Sequence, residues 1–207
     1  MPKTQIKCVL FDYGNVISLH QTLDAKRKQA ALACLELSRF RKLWSQYRPS
    51  YDQGVIDGRE YWSHILRHGR MDSEDARLDE LIQADIESWR PVNEWVLEWA
   101  QTLRDSGMQT GILSNMPPEL VVDTRTMPWI KRFQPLFFSA EIKANKPYEP
   151  IYRHVIDHLD CAAAETVFID DREDNCRGAR RSGLKVIHHR DRESTMTEVA
   201  EKFGLPD

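Results

Sequence analysis

Apolar residues fall along this chain in short unbroken runs, separated by segments in which they recur every three or four positions. Four runs, Cys8–Phe11, Thr110–Leu113, Leu136–Phe138 and Thr166–Ile169, lack polar alternation. A strand covered on one face alternates; a strand covered on both does not. The runs therefore predict buried strands, with a weaker fifth at Leu184–Ile187 behind Gly183. Between them the period turns helical. Trp95, Trp99 and Leu103 repeat every four residues between Pro91 and Gly107, which predicts a helix over 91–106 with proline at its first position. Helices also fit Glu149–Leu159, Asn175–Ser182 and Glu193–Phe203, the last with Met196, Val199, Ala200 and Phe203 on one face. Strand and helix in alternation predict an α/β fold with a Rossmann-like, doubly wound parallel sheet.

One gap breaks the rhythm. Leu19–Trp89 is rich in charge, helical in spacing and without a strong strand. Leu32, Leu35, Leu37, Phe40, Leu43, Trp44 and Tyr47 predict one long amphipathic helix; Arg59–His68 and Ser73–Trp89 predict two more, the second capped by Ser73. The expected organisation is a core of residues 1–18 and 90–207, with a helical cap of residues 19–89 inserted after the first strand. The bulk numbers add little. A net charge of -3 over 207 residues gives no reason to expect a nucleic-acid partner. No apolar run approaches a membrane span, Met1–Thr4 lacks a secretory apolar core, and the four cysteines show no CxxC spacing. A cytoplasmic protein with reduced thiols, monomeric or homodimeric, is the expectation.

In a parallel sheet, ligands sit beyond the carboxyl ends of the strands. The first predicted strand ends on Asp12, the second on Ser114-Asn115 and the fourth on Asp170-Asp171, while Lys146 follows the third. Acids from distant sequence repel unless a cation lies between them, and oxygen ligands favour a hard ion such as magnesium. A hydroxyl and a lysine beside that ion favour an anion. Metal plus anion points to phosphoryl chemistry.

The segments "FDYGNV", "GILSN", "KANKP" and "VFIDDREDN", in that order, resemble the haloacid dehalogenase-like (HAD) hydrolase superfamily. The glycine-asparagine form of the first is most similar to the branch with sugar-phosphate phosphatases and the phosphatase domain of soluble epoxide hydrolases. The resemblance implies a magnesium-dependent phosphatase acting on a small phosphorylated metabolite. Asp12 is then the nucleophile, and Asp12, the Gly14 carbonyl, Asp171 and Asp170 hold Mg2+. Ser114 and Asn115 bind the phosphoryl group, and Lys146 neutralises charge on it and on Asp12. Asn175 is placed to orient Lys146 or a water beside the ion.

Gly14 departs from the pattern. Typical phosphatases of the superfamily carry a second aspartate there, which protonates the leaving oxygen; the related D-x-G-N phosphatases imply that activity survives without it. His20 and Asp24 are the nearest substitutes in sequence. The departure leaves room for a haloacid dehalogenase, or for a protein that binds a phosphorylated ligand without turnover. Elsewhere the structural reading prevails. The aromatics of the insert fill its core, Arg48 and Arg59 are surface charges, Asp174 caps the next helix, and His188–Arg190 is a polar strand edge. His64 and His68 share a helix face without a third metal ligand.

Overall fold

The computed structural model describes residues 5–70 and 75–206. Strands β1 (Cys8–Phe11), β2 (Gln109–Ser114), β3 (Leu136–Phe138), β4 (Thr166–Asp170) and β5 (Lys185–His188) form one parallel sheet in the order β3-β2-β1-β4-β5. The order reverses at β1, between β2 and β4. Alternate side chains of β1 serve opposite faces. Val9 and Phe11 join one buried cluster; Cys8 and Leu10 join the other. Both faces are covered, which is why the run lacks polar positions.

Helix α1 spans Leu23–Leu32, α2 Leu37–Asp52, α3 Gly58–His68 and α4 Asp75–Trp89. These four share a third cluster around Phe40, Leu43, Tyr51, Tyr61 and Trp62. Of the long helix expected through Leu32 and Tyr47, the part from Leu37 onward is α2; Leu32 ends a separate helix, α1, that the apolar pattern did not predict. The chain breaks at Cys34, which takes a left-handed φ of 52°. The expected Ser73 cap lies outside the described residues. The insert leaves and rejoins the sheet side by side: Ser18 and Val92 form an antiparallel bridge, and Leu19 N donates to Pro91 O at 2.8 Å. Pro91 therefore belongs to that crossing and not to a helix. Helix α5 spans Glu94–Asp105 behind Asn93, and Gly107 follows at φ +85°.

After β2 come α6 (Pro118–Thr126), β3, the short α7 (Ser139–Ile142) and α8 (Glu149–Asp157); α9 (Glu173–Arg181) and α10 (Arg192–Glu198) flank β5. Helices α6 and α7 were not anticipated by the apolar pattern, although Pro118 stands in the first turn of α6, a recognisable start signal. Among the described residues, no helix is long and apolar enough to cross a membrane.

Candidate active site

Strand register builds the centre of the site. Phe11 pairs with Ile169, and Asp12 N donates to Ile169 O at 2.8 Å, so Asp12 and Asp170 stand abreast at the strand ends. Each of Asp12, Asp170 and Asp171 offers a carboxylate oxygen, and these lie within 4.8 Å of one another. Asp12 and Asp170 are buried, and Asp171 is half-buried.

Lys146 locks the first two together. Its Nζ lies 2.9 Å from Asp12 Oδ1 and 2.7 Å from Asp170 Oδ2, and donates to Leu113 O at 2.9 Å. That uses all three of its protons. Burial alone would pull the ammonium down, but Asp12 and Asp170 outweigh it and hold Lys146 above the ordinary lysine range. Burial pushes the Asp12 carboxyl up to about 8; Lys146 draws it back, and the charges of Asp170 and Asp171 add to the rise. With every acid ionised, three carboxylates face one ammonium. The donor set is all oxygen. Both facts fit a hard divalent cation, which would bring Asp12 back to its ionised form.

Each expected residue lies at or beside this cluster. Asn115 grips the Lys146 backbone from both sides: its Nδ2 donates to Lys146 O at 3.0 Å, and its Oδ1 accepts from Lys146 N at 2.8 Å. Its side chain thus positions the lysine. Ser114 Oγ lies 3.5 Å from Asn115 O, at the outer limit of a hydrogen bond, and is available to a ligand. Asn175 does not orient Lys146. Its Nδ2 donates to both oxygens of Asp170 at 3.0 Å, and Arg172 N adds a third bond at 2.8 Å. Asp170 is thereby fixed behind the other two acids.

Gly14 holds a φ of -62° and ψ of 124°, open to any residue. The left-handed residue of the turn is Asn15, at φ 59°. Its Nδ2 donates to Asp171 Oδ2 at 2.9 Å and ties the turn to the second acidic motif. What faces Gly14 is an indole: a Cβ there would lie 3.6 Å from Trp89 Cζ3. Tyr13 Oη donates to Trp89 O at 2.7 Å, which fixes that ring's helix against the turn. His20 and Asp24 are exposed, and Asp24 pairs with Arg27.

Several readings need correction. Arg48 is buried, not a surface charge, with Asp52 at 2.6 Å and Asp85 at 2.9 Å. Asp174 does not cap α9; it stands in the first turn, paired with Arg177. Sequence reasoning also missed Asn15, whose signal was its place directly after Gly14, and His188, whose Nε2 meets Asp171 O at 3.0 Å.

The acids stand where strand order reverses, the usual ligand position in a doubly wound sheet. Fold and site together define an α/β protein built around an acidic, lysine-bridged strand edge. A family model for haloacid dehalogenase-like hydrolases matches residues 6–183, and the chain belongs to that family. It is 31% identical over 104 residues to the sesquiterpene phosphatase AstK of Aspergillus oryzae, covering 49% of this chain and 53% of the relative. It is 28% identical over 120 residues to rat bifunctional epoxide hydrolase 2, covering 56% and 22%. The matched stretches thus span about half and about a fifth of those relatives. Among solved structures, the HAD enzyme BT-2542 of Bacteroides thetaiotaomicron, in complex with magnesium and inorganic phosphate, superposes with a TM-score of 0.75 at 20% identity, over 89% of this chain and 94% of that one. An L-2-haloacid dehalogenase of Xanthobacter autotrophicus gives 0.64 at 19% identity, over 98% and 85%.

Proposed function

We propose that this protein is a magnesium-dependent phosphatase that hydrolyses a small phosphomonoester through a phosphoryl group carried on Asp12. The observation that supports it most is the meeting of Asp12, Asp170 and Asp171 within 4.8 Å, with Lys146 bridging two of them. The name of one relative, a sesquiterpene phosphatase, and the magnesium-phosphate complex of BT-2542 point the same way.

In this reading Asp12, Asp171 and the Gly14 carbonyl hold the cation, with Asp170 behind them. Bound magnesium supplies charge neutralisation for the phosphoryl oxygens. Asp12 attacks phosphorus, the bond to the leaving oxygen breaks, and a carboxyl-phosphate forms. Lys146 keeps the attacking carboxylate ionised, Ser114 holds a transferring oxygen, and Asn115, whose side chain is bonded to the Lys146 backbone, keeps that lysine in place. Water then attacks phosphorus and frees inorganic phosphate. The helical insert, residues 19–89, acts as a cap that excludes water during the transfer from the core of residues 1–18 and 90–207.

Asp12→Asn is near in shape and cannot act as the nucleophile. Turnover of nitrophenyl phosphate should vanish in it while thermal unfolding stays cooperative. Full activity in that variant ends the assignment. Halide release from a 2-haloacid that persists in excess chelator, with no turnover of nitrophenyl phosphate, points instead to haloacid chemistry on carbon.

A further inference from the structure

The insert holds a second polar cluster that the reaction above leaves without a role. It begins beside Gly14, at the Trp89 ring. The Arg48 guanidinium lies 5.8 Å from that ring and 4.9 Å from the Trp44 ring, and Lys26 Nζ lies 3.4 Å from the Trp44 centroid. Arg48 is answered by Asp52 and by Asp85 Oδ2. Lys26 is not. Its Nζ is shut from solvent and makes no hydrogen bond. Asp85 is the acid that draws on Lys26 most strongly, yet no hydrogen bond joins them, and Asp85 Oδ1 is also buried and unpartnered. Asp85 is 2% exposed. Gln29 Oε1, Trp44 Nε1 and Trp89 Nε1 are buried without partners as well.

Buried polar groups left unpaired oppose folding, and a purely structural bundle gains nothing by keeping five in one neighbourhood. The mixture of donors and acceptors sets the ligand chemistry. An anion would suit Lys26 and the indoles but meet Asp85. A hydrocarbon would satisfy none of them. A hydroxyl accepts from Lys26 and donates to Asp85, while its carbon skeleton lies against the tryptophan faces. We infer that Lys26, Asp85 and Trp44 form a leaving-group subsite that receives a hydroxyl of the substrate alcohol. The preferred substrate is then a phosphorylated polyol and not an alkyl or prenyl phosphate. The inference deepens the phosphatase reading and rests on it. Burial, opposed by Asp85 and reinforced by Arg48 and Arg41, lowers Lys26 to about 7.

The test compares glycerol phosphate and a hexose phosphate with phenyl and hexyl phosphate, in magnesium, for the wild type and Lys26→Met. Methionine keeps the stem and removes the unpaired charge, so the variant should fold at least as stably. The ratio of polyol to phenyl kcat/KM should fall about tenfold or more, chiefly through KM. An unchanged ratio overturns the inference, and so does a wild type faster on hexyl phosphate than on either polyol. Tryptophan fluorescence of Asp12→Asn, titrated with the same phosphates, reports binding without turnover. If no phosphate is hydrolysed by the wild type, a polyol-phosphate quench that weakens in Asp12→Asn/Lys26→Met keeps the subsite while the phosphatase reading falls. No such weakening removes the subsite.

Discussion

Two lysines show opposite uses of one side chain. Lys146 is buried between two acids, and its removal would leave Asp12 and Asp170 facing each other without a counterion. Breaking a buried pair from one side typically costs about 3–5 kcal/mol. Lys146→Met should therefore lower the unfolding free energy measured in urea by that order, with magnesium recovering part of the loss; an unchanged free energy would deny the lysine its bridging role. Lys26 is half-buried, with its ammonium shut from solvent and no acid in hydrogen-bond contact, and its folded value near 7 lies below the ~10.4 of an unfolded chain. Between those values the unfolded state binds more protons, so stability rises with pH across the window; below about 7 the cost of burying the charge is fully present. The stability gap between Lys26→Met and wild type should thus be widest below pH ~7 and shrink toward pH ~10, by on the order of 1–3 kcal/mol. A gap independent of pH would place the ammonium in water. The strand-end acids were legible because each follows an apolar run. The burial of Arg48 was not, because one neutralising acid, Asp85, comes from a different helix. Asn175 could be picked out as a site residue, but its partner could not: the choice between Lys146 and Asp170 is set by how α9 docks on β4.

At the level of elements, the end of α2 is stitched to the segment that leads into Lys146. Gln53 Nε2 donates to Lys143 O, Lys143 Nζ to Gly54 O and Asn145 Nδ2 to Pro49 O, each at 2.7 Å. Ser139 Oγ joins this seam through the Asp52 carbonyl and Met116 N. Gly54 allows the close approach: at φ +64°, an added Cβ would stand 2.7 Å from Lys143 Nζ and 2.9 Å from Ala140 O. Gly107 offers a control, with φ +85° and nothing within 4 Å of its own added Cβ. Alanine at either site should cost ~1–2 kcal/mol through the backbone alone. Only Gly54→Ala should also depress kcat/KM, by displacing the loop that carries Lys146; equal turnover in the two variants would uncouple the seam from the site. The strands were readable to within a residue or two, because burial on both faces writes itself as a run. The break between α1 and α2 was not, because it falls on Cys34, with no glycine or proline to announce it. Pro91 misled for a related reason. The same residue that opens a helix also suits an extended crossing, and only the pairing of Ser18 with Val92 decides between them.

For the whole molecule, the decisive quantity is charge gathered from the two ends of the sequence. Asp12 and Asp171 are 159 positions apart, and the order β3-β2-β1-β4-β5 makes their strands neighbours. That the two acids share one edge followed from strand-helix alternation; the strand order did not, and Trp89 against Gly14 depended on how the insert folds back. A cation that binds only the folded state adds about 2.7 kcal/mol at a hundredfold excess over its Kd. For a chain of this size that is a rise of ~5–10 °C in Tm. Magnesium should produce it in the wild type, and Asp171→Asn should remove most of it. A full shift in that variant would put the ion elsewhere. The same arrangement constrains the chemistry. In the proposed phosphatase reaction, Gly14 supplies no carboxyl for the leaving oxygen, and the residue facing Gly14 is the indole of Trp89. General acid catalysis contributes about a hundredfold to ten-thousandfold where it operates. Without it, the departing oxygen must leave with its charge developed or take a proton from water, so its own acidity should govern the rate. Across aryl phosphates of graded phenol acidity, log kcat/KM should fall steeply as the phenol becomes less acidic. A flat series, measured where release of phosphate is not limiting, would mean that a proton donor reaches the leaving oxygen after all.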